Sequence, residues 1–173
     1  GNEVKIAEDG EILVRGENVM LGYWNNKEET DKVLKDGWLH TGDIGVFENT
    51  YLKITDRKKD IIITPGGDNI SPIKIENELV NSELFEQAIV YGDNKPFLIA
   101  LLVLNEEKKS STKEEIKDEV EKINKKLSKI ENIKKFIIIE EKFSIENGML
   151  TPTLKLKRFK IIQKYKNSFE KLY

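Results

Sequence analysis

The sequence predicts an α+β fold in two parts: a glycine-punctuated, β-rich segment, then a small sheet with flanking helices. Three observations carry this expectation. Short β-type runs dominate the first third of the chain. A fully charged stretch, Asp56-Arg57-Lys58-Lys59-Asp60, then separates two apolar runs, as a solvated boundary should. Beyond it, strand-like runs alternate with helices whose caps are legible in the residues.

In the first part, Glu11 to Arg15 reads as a strand between Asp9-Gly10 and Gly16, and Val19 to Tyr23 as another. Asn26 with Glu29 three residues on matches a capping box, which predicts a short helix over Lys27 to Leu34. Asp36-Gly37 turns the chain into Trp38-Leu39, and Ile44 to Phe47 with Tyr51 to Ile54 form a hairpin pattern.

After the charged stretch, Ile61-Ile62-Ile63 begins a new strand and Thr64 to Asn69 is a turn-rich loop. Ser71 at N-cap and Pro72 at the first helical position start a helix to Val80. Ala88 to Tyr91 and Phe97 to Leu104 are strands. Thr112 and Glu115 cap a helix with Ile116, Val120, Ile123 and Leu127 on one face. Phe136 to Ile139 is the last strand, and from Leu156 onward the chain is helical, with Phe159, Ile162 and Phe169 in register.

Composition excludes several classes of function. There is no cysteine, so disulfides and Cys-based chemistry are out, and the single histidine, His40, argues against a His-rich metal site or a Ser-His-Asp triad. Lys+Arg 29 against Asp+Glu 31, interleaved, is a solvated surface rather than a nucleic-acid footprint. The longest apolar run, Phe97 to Leu104, falls far short of the ~20 residues that span a bilayer. Gly1-Asn2-Glu3 has no apolar signal segment and no initiator Met, so the sequence reads as starting partway along a longer protein.

Four stretches could carry chemistry, each with an ordinary structural alternative. Thr41-Gly42-Asp43 puts an acid in a tight glycine turn, where a carboxylate could accept hydrogen bonds from a ribose diol; alternatively it is only a turn. Arg57 could offer fixed planar donors to a nucleotide, or belong to a charged linker. Gly66-Gly67 could line a narrow channel, or be a plain strand-to-helix connection. The stretch from Gly148 to Arg158 ends in a basic cluster. A lysine there could reach a phosphate or carboxylate, or face solvent at a helix start, where positive charge opposes the dipole.

Taken in order, Gly10-Glu11-Ile12-Leu13-Val14-Arg15-Gly16, Gly22-Tyr23-Trp24, Gly37-Trp38-Leu39-His40-Thr41-Gly42-Asp43, Asp56-Arg57-Lys58-Lys59-Asp60-Ile61-Ile62, and Gly66-Gly67-Asp68-Asn69-Ile70-Ser71-Pro72 with Ile75-Glu76 resemble the AMP-forming adenylate synthetase superfamily. That superfamily holds acyl-CoA synthetases, luciferases and peptide-synthetase adenylation domains. The resemblance covers essentially the whole chain. Trp38 to Gly45 and Leu150 to Lys155 are most similar to the long-chain fatty acid–CoA ligase branch.

The resemblance implies residues 1–56 as the trailing β-rich segment of a large adenylation domain. Residues 57–173 would be a mobile C-terminal domain, a small mixed β-sheet with flanking helices and a hinge near Lys59. It implies the reaction of a fatty acid, ATP and CoA to acyl-CoA, AMP and diphosphate through an acyl-adenylate. Asp43 would hold the ribose hydroxyls, Arg57 would contact the same nucleotide, and Gly66 and Gly67 would line the pantetheine tunnel. Lys155, in Thr151-Pro152-Thr153-Leu154-Lys155, takes the place of the catalytic lysine of a Thr-x-x-Gly-Lys pattern, with Lys157 as rival. Leu154 departs from that pattern, and Leu resists the positive φ that Gly allows. His40 is expected to pack under the nucleotide site.

ATP or AMP and CoA are the implied ligands, with Mg2+ held mainly by the large domain and no metal site in this segment. The partners are those small molecules and the rest of its own N-terminal domain, with no nucleic acid and no membrane anchor. The expected location is the cytoplasm, with peripheral membrane association of the full-length protein left open. The Gly-rich phosphate loop and the acid pocket would lie upstream, so this stretch alone is expected to be inactive. Two alternatives stand beside this reading: a ligase for another carboxylic acid or an acyl carrier protein, and a non-catalytic nucleotide- or CoA-binding module.

Overall fold

The computed structural model describes residues 1–173, which form two compact units, Gly1–Lys59 and Asp60–Tyr173. The first unit is a five-stranded antiparallel sheet with one short helix. β1 (Glu3–Ile6) and β2 (Glu11–Arg15) form a hairpin. α1 (Lys27–Val33) leads through β3 (Leu34–Lys35) into the long β4 (Trp38–Glu48), which returns as β5 (Tyr51–Arg57). Along the sheet the order is β1-β2-β4-β3, with β5 also paired to β4. Asn26 caps α1 by accepting the Glu29 N–H at 3.1 Å, as its residue type and spacing require.

Val19–Tyr23 does not form the expected strand. The segment is bends and irregular coil, with Leu21 fully exposed, because the apolar residues there find no facing strand. Thr41-Gly42-Asp43 likewise is not a turn between strands. It is a bulge inside β4: the register against β2 shifts between Glu11↔Ile44 and Leu13↔His40. Gly42 takes φ +70 there, a conformation open to glycine at little cost. Gly45 answers a different need, since a Cβ would lie 2.7 Å from the Lys53 carbonyl oxygen.

The second unit is a three-stranded mixed sheet between helices, the α+β class the sequence predicts. β6 (Ile62–Ile63) and β7 (Asn69–Ile70) form a small hairpin around the Gly66-Gly67 loop. α2 (Pro72–Val80) follows, then β8 (Phe85–Tyr91) and β9 (Leu98–Leu104), which pair antiparallel. α3 (Lys113–Asn124) crosses over to β10 (Ile133–Ile139), parallel to β9, and α4 (Arg158–Glu170) ends the fold.

All seven residues of β9 are buried, and its period of two sorts them between two cores. Leu98, Ala100 and Leu102 pack with Ile75 and Leu79 of α2 and Ile116, Val120 and Ile123 of α3. Ile99, Leu101 and Val103 pack with Phe143, Met149 and Leu150, and with Ile161 and Phe169 of α4. The expected register of α4 is corrected: Phe159 is 79% exposed, and Ile161 is the core residue instead. The reason is the angular position on α4: Ile161 and Phe169 face the core and Ile162 packs against it, whereas Phe159 points off that face. No helix is long and apolar enough to cross a membrane.

Candidate functional site

Within the first unit, Asp43 and Arg57 stand opposite one another on β4 and β5. Arg57 Nε donates to Asp43 Oδ1 at 2.9 Å, so the two residues singled out as nucleotide contacts form one ion pair. Asp43 is held from below: its N–H donates to Thr41 Oγ1 at 3.1 Å, and the Thr41 hydroxyl donates to the Ile12 carbonyl at 2.7 Å. Arg57 is steadied by its own N–H, which donates to the buried Asp56 at 2.6 Å.

The bulge rests on a residue that sequence reasoning did not single out. Glu11 is 4% exposed, and its carboxylate accepts the Gly42 N–H at 2.9 Å and the Lys58 ammonium at 2.9 Å. His40 Nδ1 lies 3.0 Å from the same carboxylate, so the lone histidine packs beside the bulge with an acid as partner. Burial pushes the Glu11 carboxyl up, but hydrogen bonds from His40, Lys58 and Gly42 outweigh it and hold it below its ordinary value. Hydrogen bonds to Asp9 and Glu11 raise the Lys58 ammonium in turn. The available signal was an acid inside Gly10-Glu11-Ile12, at the head of a strand whose next two residues are also buried. Glu11, Tyr23, His40, Gly42 and Lys58 border a groove of about 460 Å3. Lys59 lies next to Lys58, in a 3-10 turn over Lys58–Asp60.

Within the second unit, Gly66 and Gly67 sit in a loop closed by Thr64. The Thr64 hydroxyl meets Asp68 Oδ2 at 3.0 Å, and the Gly67 N–H donates to the Thr64 carbonyl at 2.9 Å. Gly66 lines a groove of about 440 Å3 together with Lys95, Phe97, Lys129, Ile130 and Lys134. Apolar side chains beside several lysines suit an anionic ligand with an apolar part.

Lys155 lies beside the base of a tight hairpin closed by the Leu150↔Leu156 bridge, with the turn at Pro152-Thr153. Thr151 organises it. Its N–H donates to the Lys155 carbonyl at 2.8 Å, its carbonyl accepts the Leu154 N–H at 2.9 Å, and its hydroxyl accepts the Lys155 N–H at 3.0 Å. Leu154 takes φ +60, the left-handed conformation that a glycine would take there. Lys155 is exposed, whereas Lys157 is half-buried, and its N–H donates to the Met149 carbonyl at 2.8 Å. No group of three or more His, Cys, Asp or Glu side chains converges in a way that could hold a metal ion.

Residues 59–173 match the profile of the AMP-binding enzyme C-terminal domain. A long-chain-fatty-acid–CoA ligase of Mycobacterium tuberculosis is 39% identical over 195 residues, which cover 100% of this chain and 32% of the relative. The adenylation domain of a carboxylic acid reductase from Segniliparus rugosus, solved with AMP and a co-purified carboxylic acid, superposes with TM-score 0.87 at 26% identity. That likeness covers 100% of this chain and 31% of the reductase chain. The o-succinylbenzoate CoA synthetase of Bacillus subtilis, solved with its acyl-adenylate intermediate, gives TM-score 0.72 at 30% identity over 92% of this chain and 33% of its own. The chain thus spans about a third of the length of the curated relative and of both solved chains. It belongs to the AMP-binding enzymes and carries their C-terminal domain.

Proposed function

We propose that this chain is the C-terminal part of an AMP-forming long-chain fatty acid–CoA ligase. In the first half-reaction a carboxylate oxygen attacks the α-phosphorus of ATP, the bond to diphosphate breaks, and an acyl-adenylate forms. In the second, the thiol sulfur of CoA attacks the acyl carbon, its proton passes to solvent, and AMP leaves. Asp43 binds the ribose diol and Arg57 the same nucleotide, each preset by its bond to the other. Lys155 brings a mobile cation to the anionic reactants of the first step, where opposing charge is the main obstacle. Lys59 is the hinge about which residues 60–173 turn between the two steps. The Gly66-Gly67 loop and the lysine-bearing groove beside it receive CoA in the second. No step is assigned to Mg2+ through this chain.

The observation that carries this reading is the shape of the Lys155 hairpin. The Thr-x-x-Gly-Lys pattern is broken in sequence by Leu154, yet φ +60 at Leu154 keeps the turn a glycine would make. In the full-length protein, Lys155→Ala should lower fatty-acid-dependent ATP–pyrophosphate exchange about 10²- to 10³-fold. Thioester formation from preformed acyl-adenylate should stay within about threefold of wild type. Equal loss in both half-reactions would remove Lys155 from its role, and the same split with Lys157→Ala would move the role there.

A further inference from the structure

The second unit contains a buried ion pair that no part of the proposed chemistry uses. Arg158 Nη2 lies 2.5 Å from Glu76 Oε2, with side-chain exposures of 12% and 8%. The two residues also bracket one residue of the sheet: Glu76 Oε1 accepts the Val90 N–H at 2.7 Å, and Arg158 Nη1 donates to the Val90 carbonyl at 3.1 Å. Three elements therefore meet in one node: α2 through Glu76, β8 through Val90, and the first residue of α4 through Arg158.

What precedes Arg158 gives the node its use. Only Leu156 and Lys157 separate it from Lys155. Leu156 bridges to Leu150, and the Lys157 N–H is tied to Met149, so little slack remains between the node and Lys155 at the hairpin base. Met149 and Leu150 are themselves buried in the core beneath α4. The node also accounts for an awkward charge. α4 opens with Lys157, Arg158 and Lys160, has no acid in its first turn, and lacks a side-chain cap. Cations oppose the dipole there. Glu76 neutralises the one that is buried, whereas a buried arginine without a partner would be strongly destabilising.

We propose that Glu76 and Arg158 are positioning residues for Lys155: the pair fixes the start of α4 on α2 and β8 and thereby sets the reach and direction of the hairpin. Neither touches substrate. The proposal rests on the assignment of Lys155 to adenylate formation. A guanidinium is needed because only a planar fork can hold the carboxylate and the Val90 carbonyl together.

The test uses the full-length protein with Arg158→Lys, Glu76→Gln and the apolar double variant Glu76→Met/Arg158→Met, assayed well below each melting temperature. A lysine keeps the charge but loses one of the two contacts. Arg158→Lys should lower kcat of ATP–pyrophosphate exchange about 10- to 100-fold, the range set by misplacing a reacting group by about 1 Å. KM for ATP should change by less than about threefold, and thioester formation from preformed acyl-adenylate should be spared. The double variant removes both charges together and so leaves no unpaired buried charge; it also loses both contacts to Val90, and at temperatures where it is folded it should show the same split. Wild-type kcat in the folded variants would overturn the proposal. So would equal loss in both half-reactions, or loss of activity only in step with unfolding in all three. Absence of exchange in the wild-type protein would instead overturn the ligase reading.

Discussion

Residues 1–59 and 60–173 are built from similar strands, but they hold together by different means. Of the 26 buried hydrophobic side chains, Ile12 and Leu13 lie in the first unit and 24 lie in the second. The first unit exposes Leu21, Trp24, Tyr51 and Ile54 by more than half of their surface. Its order comes from backbone ladders and charge: Glu11 with Lys58 and His40, Arg15 with Glu3, and Lys5 and Arg15 over the Trp38 ring at 4.1 and 4.6 Å. The second unit has a layer of helices or loops on each face of its sheet. Burial makes a domain autonomous, whereas polar ladders alone net little against the entropy of ordering a chain.

The comparison predicts its largest effect when the units are made apart. Residues 60–173 should fold alone and melt cooperatively, with stability on the order of 5–15 kcal/mol. Residues 1–59 alone should show no cooperative transition by circular dichroism. A sharp melt for 1–59 would break the contrast.

A smaller effect sharpens it through pH. The Glu11 carboxyl is held below its ordinary value in the folded chain, so its stabilisation is present above the unfolded value and is lost as pH falls through the folded one. The first unit should therefore loosen at acid pH, below the usual carboxylate range. Glu11→Gln should destabilise it by about 1–3 kcal/mol at neutral pH, through buried donors left poorly paired, and should flatten the acid transition. Fluorescence of Trp38, read in a Trp24→Phe background, follows the change. An unaltered acid transition in the variant would show that Glu11 does not hold the bulge.

The smallest effect belongs to the second unit. Leu154→Gly relieves a non-glycine left-handed residue and should raise the urea midpoint by the equivalent of about 0.5–1 kcal/mol, the relief being partly offset by the freedom glycine gains in the unfolded chain. A lower midpoint would mean that the exposed Leu154 side chain contributes packing that outweighs the strain.

Much of the second unit was legible because its signals are local. Ser71-Pro72 starts α2, the Thr112 and Glu115 capping box starts α3, and an unbroken apolar run gives β9. What escaped depends on partners distant in sequence. β1 was not expected, since Glu3–Ile6 acquires its meaning only by pairing with β2. Val19–Tyr23 looked like a strand for want of knowing that no neighbour awaited it. The bulge at Asp43 needed the register against β2, and Glu11 is separated from Gly42 by 31 positions and from Lys58 by 47. Glu76 and Arg158 are 82 positions apart. The resemblance nominated Asp43, Arg57 and Lys155, but a single sequence does not say which buried charges meet.

The complete burial of β9 also matters while the chain is being synthesised. Leu-Ile-Ala-Leu-Leu-Val-Leu, without a charge or proline, has the composition of a segment that pairs with its own copies when uncovered. One face can be covered by α2, already made, and by α3, soon after. The other waits for α4, which leaves the ribosome only after the 53 residues between Leu104 and Arg158. Until then a sticky ribbon is half open, so a chain interrupted before α4 should be a preferred client of chaperones and a seed for inclusion bodies.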